Sequence, residues 1–422
     1  MRVLIHDYGR FPFIFQLAGK MAERGRQVCY IYSDAVPERA SRSLTSEERP
    51  CLQVVGIPVS GPLAKVDFIK RRSQEIAHGK ALVKIAESFR PDVVVSANTP
   101  LDPQAALHHW CRRNGVRFVY WLQDLYGLAI RDVLKQKLPL VGTPVSAYYM
   151  AMERRLIADS DAVISITEDF RPYIARMGAS NGKVNVLQNW APLEQMPVRP
   201  KDNPWSRRHD LHDKLVFLYS GTMGMKHDPQ LLVELAKSMR KEPAARVVVV
   251  SEGSALGWLR EQVAEQGVSN LVIMPLQPQE QLPDVLGTAD VLVAILERSA
   301  GVFSVPSKVL TYLCARRPLL LGVPSENLSA HLVAENGAGV VVSPDKVREF
   351  VEAADCLIHD AEYREFCAAN ARRYAELHFN IEEITDSFER MVGCAPAKGV
   401  VEIPEPMQEG ASGEPACPAH NG

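Results

Sequence analysis

Residues 215–239 read LVFLYSGTMGMKHDPQLLVELAKSM. The first six form a short apolar run of the kind a strand buried on both faces requires. Ser220-Gly221-Thr222-Met223-Gly224-Met225-Lys226-His227 follows as a glycine turn, and PQLLVELAKSM then reads as a helix. Strand, glycine turn and helix make one unit of an α/β fold, and the unit recurs in both directions. Downstream strand candidates lie at 246–250, 271–274, 291–295, 319–322 and 339–342; upstream ones lie at 3–5, 27–32, 93–97, 118–122, 162–166 and 184–187. Between the first two, IFQLAGKMAERG places Phe15, Leu17, Ala18, Met21 and Ala22 on a helical stripe that ends at Gly25.

Near-continuous Val/Ile/Leu strands separated by helices predict parallel sheets covered on both faces. Two such runs flank the Pro-rich, charged stretch PVRPKDNPWSRRHD, and they predict two doubly wound Rossmann-like domains facing a cleft. The expected division is a first domain over 1–196, a linker over 197–210, a second domain over 211–375 and a closing helix over 376–393. A disordered Pro/Gly/Glu/Ala-rich tail is expected over 394–422. Ligands of such sheets sit beyond the carboxyl ends of the strands, so the cleft is the expected site.

The chain has 422 residues, 46% hydrophobic and 23% charged, which excludes collagen-like, disulfide-scaffold and wholly disordered classes. Its 48 Lys and Arg against 50 Asp and Glu exclude a basic nucleic-acid binder at whole-chain level. The balance hides an asymmetry: residues 1–195 carry 26 basic against 19 acidic side chains, and the remainder 22 against 31. Eight scattered cysteines without CxxC or Cys/His spacing fit a reduced, cytoplasmic protein. The N-terminus opens on a strand rather than a signal peptide, and no uncharged apolar run approaches the ~20 residues of a spanning helix. LPLVGTPVSAYYMAM, residues 138–152, comes nearest, flanked by Lys135, Lys137, Arg154 and Arg155. It reads either as a buried helix or as a segment entering the interface of an anionic membrane, with Lys65, Lys70, Arg71 and Arg72 alongside.

The first strand ends in HDYGRFP, with Gly9 alone where a dinucleotide fingerprint needs G-x-G-x-x-G, so a nicotinamide enzyme is excluded. In the second half, Gly221 and Gly224 allow backbone approach to an anion, and Lys226 adds a charge. Ser251-Glu252-Gly253-Ser254 forms another glycine turn at a strand end. Pro306-Ser307-Lys308 opens the helix VLTYLCA, and a lysine there opposes the helix dipole unless an anion is to be bound. Asp159-Ser160-Asp161 spells a metal-site D-x-D but falls where Asp and Ser favour a turn. His108-His109 has no further ligand at metal spacing.

In this order the three pieces resemble the donor domain of glycosyltransferase family 4, which has the GT-B fold. The nearest branch is similar to bacterial colanic-acid and O-antigen enzymes. That branch's P-S-K-x-x-x-Y-L-x-x-x-x-P stands here as Pro306-Ser307-Lys308-Val309-Leu310-Thr311-Tyr312-Leu313, ending at Pro318. NLVIMPLQPQEQLPDVLGTADVLVAIL, Gln123-Asp124-Leu125-Tyr126 and Gln188-Asn189-Trp190 also match. The resemblance implies transfer of a sugar from a nucleotide donor, commonly UDP-linked, to an acceptor hydroxyl. It implies retention of configuration, with neither metal nor cofactor. The acceptor would be a saccharide or a lipid-linked saccharide at the cytoplasmic membrane face. Lys226, Lys308, Ser307 and the Gly221 and Gly224 backbones would hold the diphosphate. Glu252, Gly253 and Leu276 would border the base, and Asp124 would face sugar and acceptor, or act as base in an inverting enzyme.

The chain departs from the family where two glutamates normally stand eight apart: those positions hold Phe303 and Thr311, with Glu297 a partial substitute on the ribose. Phe11-Pro12-Phe13 also replaces the usual Gly-Gly. Two rival readings stay open, a sugar-nucleotide 2-epimerase of the same fold and a nucleotide-sugar-binding scaffold without catalysis.

Overall fold

A computed structural model gives the fold and describes residues 1–34, 50–59, 61, 67–137, 142–224, 226–298 and 307–394. Lys65, Phe303, Pro306, the proposed tail beyond 394 and the side chains of Lys135 and Lys137 lie outside the described residues.

The first sheet is built from β1 (Arg2–Asp7), β2 (Gln27–Ser33), β3 (Leu52–Ile57), β4 (Val93–Ala97), β5 (Arg117–Leu122), β6 (Ala162–Ser165) and β7 (Val184–Val186). Its helices are α1 (Pro12–Glu23), α2 (Phe68–Phe89), α3 (Leu101–Asn114), α4 (Tyr126–Lys137), α5 (Gly142–Asp159) and α6 (Arg171–Arg176). All strands are parallel, in the order β3-β2-β1-β4-β5-β6-β7. Strand β3 has no counterpart among the sequence-read strands. It lies at the sheet edge with Gln53 and Val54 exposed, so its apolar pattern is broken.

After α7 (Pro204–Arg208) the second sheet is formed by β8 (Leu215–Ser220), β9 (Ala245–Val250), β10 (Leu271–Met274), β11 (Val291–Ile295), β12 (Leu319–Gly322) and β13 (Gly339–Val342). It is parallel too, in the order β10-β9-β8-β11-β12-β13. Helices α8 (Gln230–Ser238), α9 (Leu256–Glu265), α10 (Leu282–Gly287), α11 (Ser307–Cys314), α12 (Leu328–Glu335) and α13 (Val347–His359) accompany it. The chain ends with α14 (Ala361–His378) and α15 (Ile381–Val392). The two sheets are doubly wound, and their strand order reverses between β1 and β4 and between β8 and β11.

The stretch 197–210 is docked against the second sheet's helices. Asn203 caps α7 through the amides of Trp205 and Ser206 and donates to the Asp284 carbonyl, while Trp205 is buried. Asp161 is a structural turn residue: its carboxylate accepts the Phe118 amide at 2.8 Å, and Asp159 pairs with Arg112. His108 packs edge-on against Phe118 at 4.9 Å.

Helix α15 returns to the first domain and lies on α1. Arg24 pairs with Asp386 and Glu382, each at 2.6 Å, and Arg26 with the buried Glu389 at 2.8 Å. Phe388 enters an aromatic cluster with Trp121, Trp190 and Phe13. Truncating it (Phe388→Ala) is expected to destabilise the chain by about 3–5 kcal/mol. An unchanged denaturation midpoint would show that the last helix is not part of this core.

Candidate functional site

The second sheet's switch point carries the site's basic groups. Tyr219, in β8, is buried with its hydroxyl 3.0 Å from the Thr222 carbonyl. Lys308, the second residue of α11, lays its ammonium 3.7 Å from the centre of the Tyr219 ring, donates to the Tyr219 hydroxyl and lies 3.5 Å from the Thr222 carbonyl. A ring face attracts a cation, and the two oxygens accept its protons. No carboxylate among the described residues comes within ion-pairing distance of it. Burial alone therefore lowers the Lys308 pKa, to about 7. Tyr312, one turn further along α11, accepts the Ser220 amide at 2.8 Å and donates to its carbonyl at 3.0 Å, clamping α11 to the end of β8.

The glycine turns lock into each other. Gly253 has φ +126°, and a Cβ there would stand 2.4 Å from the Met223 carbonyl oxygen. Its lack of a side chain lets Met223 donate to Glu252 O at 2.7 Å and accept from the Ala255 amide at 3.2 Å. Gly221, φ +129°, faces Lys308, whose Cε would lie 3.3 Å from a Cβ at that position. The amides differ from the sequence expectation, because both already have partners. Gly221 donates to Val250 O at 3.0 Å and Gly224 to His227 Nδ1 at 3.2 Å. Gly221 thus contributes room for Lys308 rather than a free donor, and at Gly224 a side chain would meet nothing. His227 is held neutral: burial first, then the Lys308 charge, brings its pKa to about 4.

Lys226 is exposed, and its carbonyl accepts the Glu297 amide at 2.9 Å, which brings Glu297 to the same rim. Ser307 is exposed at the start of α11, with Thr311 one turn on along the same face. Glu252 is exposed on its turn; Leu276, 37% exposed, lies beyond the edge strand β10.

From the first domain, Asp124 stands in the loop after β5. Burial raises its pKa, and the charge of Lys226 opposes that rise. The carboxylate of one domain therefore senses the ammonium of the other across the cleft. The QNW residues serve as struts: Gln188 accepts from Tyr374 at 3.0 Å, Asn189 donates to Gln123 at 2.7 Å and Trp190 to Gln16 at 2.9 Å. Beside the first sheet's switch point, Arg10 and Asn98 are non-glycine residues with φ near +50°, a conformation concentrated at functional sites. His6 bonds Thr99 at 2.8 Å and His78 at 2.9 Å, and burial keeps both imidazoles neutral.

Sequence reading missed Tyr219, His227 and the His6–His78 pair. Tyr219 looks like any aromatic in a buried strand, and the histidines are 72 residues apart. Among the described residues there is no cluster of three His, Cys, Asp or Glu able to hold a metal. The Gly253→Ala variant is expected to lose about 1–3 kcal/mol through backbone strain and to open the latch on Met223. Thermal unfolding checks this, and a variant as stable as the parent would mean the turn is not constrained.

Residues 12–190 match the glycosyl transferase 4-like domain, and residues 202–374 match the glycosyl transferases group 1 family. Over 309 residues the chain is 24% identical to WcaI of Escherichia coli (strain K12), described as a colanic acid biosynthesis glycosyl transferase. That match covers 71% of this chain and 73% of WcaI. HepE of Anabaena, solved with UDP, shares the fold with a TM-score of 0.69 at 12% identity, covering 94% of this chain and all of HepE. WaaG, a glycosyltransferase involved in lipopolysaccharide biosynthesis, gives 0.67 at 16% identity, with coverage of 91% and 98%. Two matched domains in series on a GT-B fold leave one assignment: the chain belongs to glycosyltransferase family 4.

Proposed function

We propose that the protein moves a sugar from a UDP-linked donor to a hydroxyl of a saccharide or lipid-linked saccharide. The setting would be cell-surface polysaccharide or glycolipid synthesis of the colanic-acid and O-antigen type. The observation that carries this reading is the Lys308 ammonium, half-buried over Tyr219 at the start of α11, with Lys226 at the rim and no carboxylate among the described residues within ion-pairing distance of Lys308. A diphosphate supplies the missing negative charge. As the glycosidic bond breaks, charge builds on the leaving diphosphate, and Lys226, Lys308 and the α11 N-terminus would stabilise it. Fixed cations of this kind do the work of a metal, so the reaction is read as metal-independent. HepE's crystallisation with UDP supports the choice of base.

Asp124 would face the sugar and acceptor. No other protein nucleophile is assigned, and the donor is read as reacting with retention. The 2-epimerase reading needs several carboxylates around the sugar, and we assign only Asp124 and Glu297 there. Incubation with a panel of nucleotide sugars and a membrane extract decides between the readings. Sugar transferred to lipid supports the proposal, whereas epimer formation, or binding without turnover, overturns it.

Membrane contact is proposed through α2 and α5. Phe68, Ile69, Val145 and Tyr148 are exposed, Ile69 at 85%, and the Arg72 guanidinium lies 5.4 Å from the Tyr148 ring. Apolar side chains interleaved with exposed Lys70 and Arg72 suit an anionic bilayer surface. Arg71 does not join them, because it is half-buried against Glu75 at 2.9 Å. Among the described residues no helix is long and apolar enough to cross a membrane.

Two outcomes are expected. Diphosphate binding favours charged Lys308, so UDP binding takes up a proton above about pH 7, and affinity falls with rising pH by up to ~10-fold per unit. Lys308→Ala should weaken UDP and flatten that dependence in calorimetry; native affinity in the variant sinks the phosphate assignment. Ile69→Ser with Tyr148→Ser should reduce co-sedimentation with phosphatidylglycerol vesicles, and undiminished binding would remove this surface from consideration.

A further inference from the structure

Strand β5 hands over to α4 through Gln123, Asp124 and Leu125, so Leu125 occupies the position where Ser, Thr, Asn or Asp ordinarily caps the first amides. Leucine has no oxygen to offer. The cap comes instead from another helix. Glu153 of α5, fully buried, accepts the Gly127 amide at 3.1 Å through Oε2, and the Tyr173 hydroxyl donates to the same oxygen at 2.5 Å. A Cβ on Gly127 would lie 2.5 Å from Glu153 Oε2 and 2.8 Å from Met150 Sδ, so the glycine is what admits the carboxylate. The same turn of α4 sends the Tyr126 hydroxyl to Asn98 at 3.4 Å, at the end of β4. On the other flank, Asn189 pins Gln123 at 2.7 Å.

A buried carboxylate is costly, and among the described residues Glu153 Oε1 has no hydrogen-bond partner; what favours the group is Oε2, bonded twice, and its place at a helix N-terminus, where aligned peptide dipoles attract negative charge. We propose that Glu153 is a positioning residue. By capping the first turn of α4 it sets where the Asp124 carboxylate stands at the end of β5. The inference rests on the reading of Asp124 as a group that faces the reacting sugar.

The test compares transfer from a UDP-sugar by Glu153→Ala, Glu153→Gln, Gly127→Ala, Asp124→Asn and the double variant Glu153→Ala/Asp124→Asn. Displacing the loop should lower kcat by ~10-fold or more in Glu153→Ala. Gly127→Ala should do the same, since alanine suits a helix but pushes the carboxylate away. UDP affinity should stay within ~2-fold of the parent, because the donor groups sit on the other sheet. Glu153→Gln, which keeps an oxygen for the amides, should recover part of the loss. The double variant should be no slower than Asp124→Asn alone, the non-additivity of groups acting through one another. Additive losses overturn the proposal, as does a native kcat in Glu153→Ala with only a lower melting temperature. A native rate in Asp124→Asn would instead remove the Asp124 reading itself. A slow Asp124→Asn beside a native-rate Glu153→Ala removes the Glu153 proposal alone.

Discussion

A lysine ammonium half withdrawn from water, with no carboxylate among the described residues within ion-pairing distance, organises the end of the second sheet. Lys308 could have been solvated or paired; instead it lies over the Tyr219 ring and gives protons to oxygens that carry no formal charge. Such contacts recover only part of the lost hydration, which is why its pKa falls to about 7. Several neighbouring features follow from that placement. Tyr312 clamps the helix that carries the lysine, Gly221 leaves room for its methylenes, and neutral His227 avoids adding a second cation.

The loop that carries Asp124 is held by a different kind of constraint. Asp124 belongs to the first domain, yet its surroundings are tied to segments from the far end of the chain. Asn189 fixes Gln123, Gln188 binds Tyr374 of α14, and α15 completes the first core through Phe388. The aromatic cluster around Trp121, directly upstream of the Asp124 loop, is therefore finished only after the whole second domain has been synthesised.

The buried strands were legible because a sheet covered on both faces demands apolar side chains without interruption, and twelve of the thirteen were read near their observed positions. Edge strand β3 escaped, its exposed residues obeying no such demand. Lys308 stood out in the sequence because a lysine in a first helical turn opposes the helix dipole, whereas Lys226 drew notice only through the glycine turn it follows. The glycines were found but given the wrong duty: Gly221 and Gly224 looked like amide donors, and only the three-dimensional bonding shows those amides occupied. Tyr219 and Glu153 could not be found at all. One is an aromatic in a buried strand and the other an acid on a helix between Met152 and Arg154, and their partners are set by folding rather than by spacing.

The charge asymmetry can now be placed. An anion site on the acidic half of the chain cannot draw on that half's average field, since at ordinary ionic strength charges beyond roughly 10 Å are screened. It must work through groups that touch the ligand, the role proposed for Lys226 and Lys308 on the second sheet. The first sheet contributes an acid, Asp124, although its half of the chain is basic. Each half thus carries, at a residue proposed for the cleft, a charge opposite to its own surplus: Asp124 on the basic half, Lys226 and Lys308 on the acidic one.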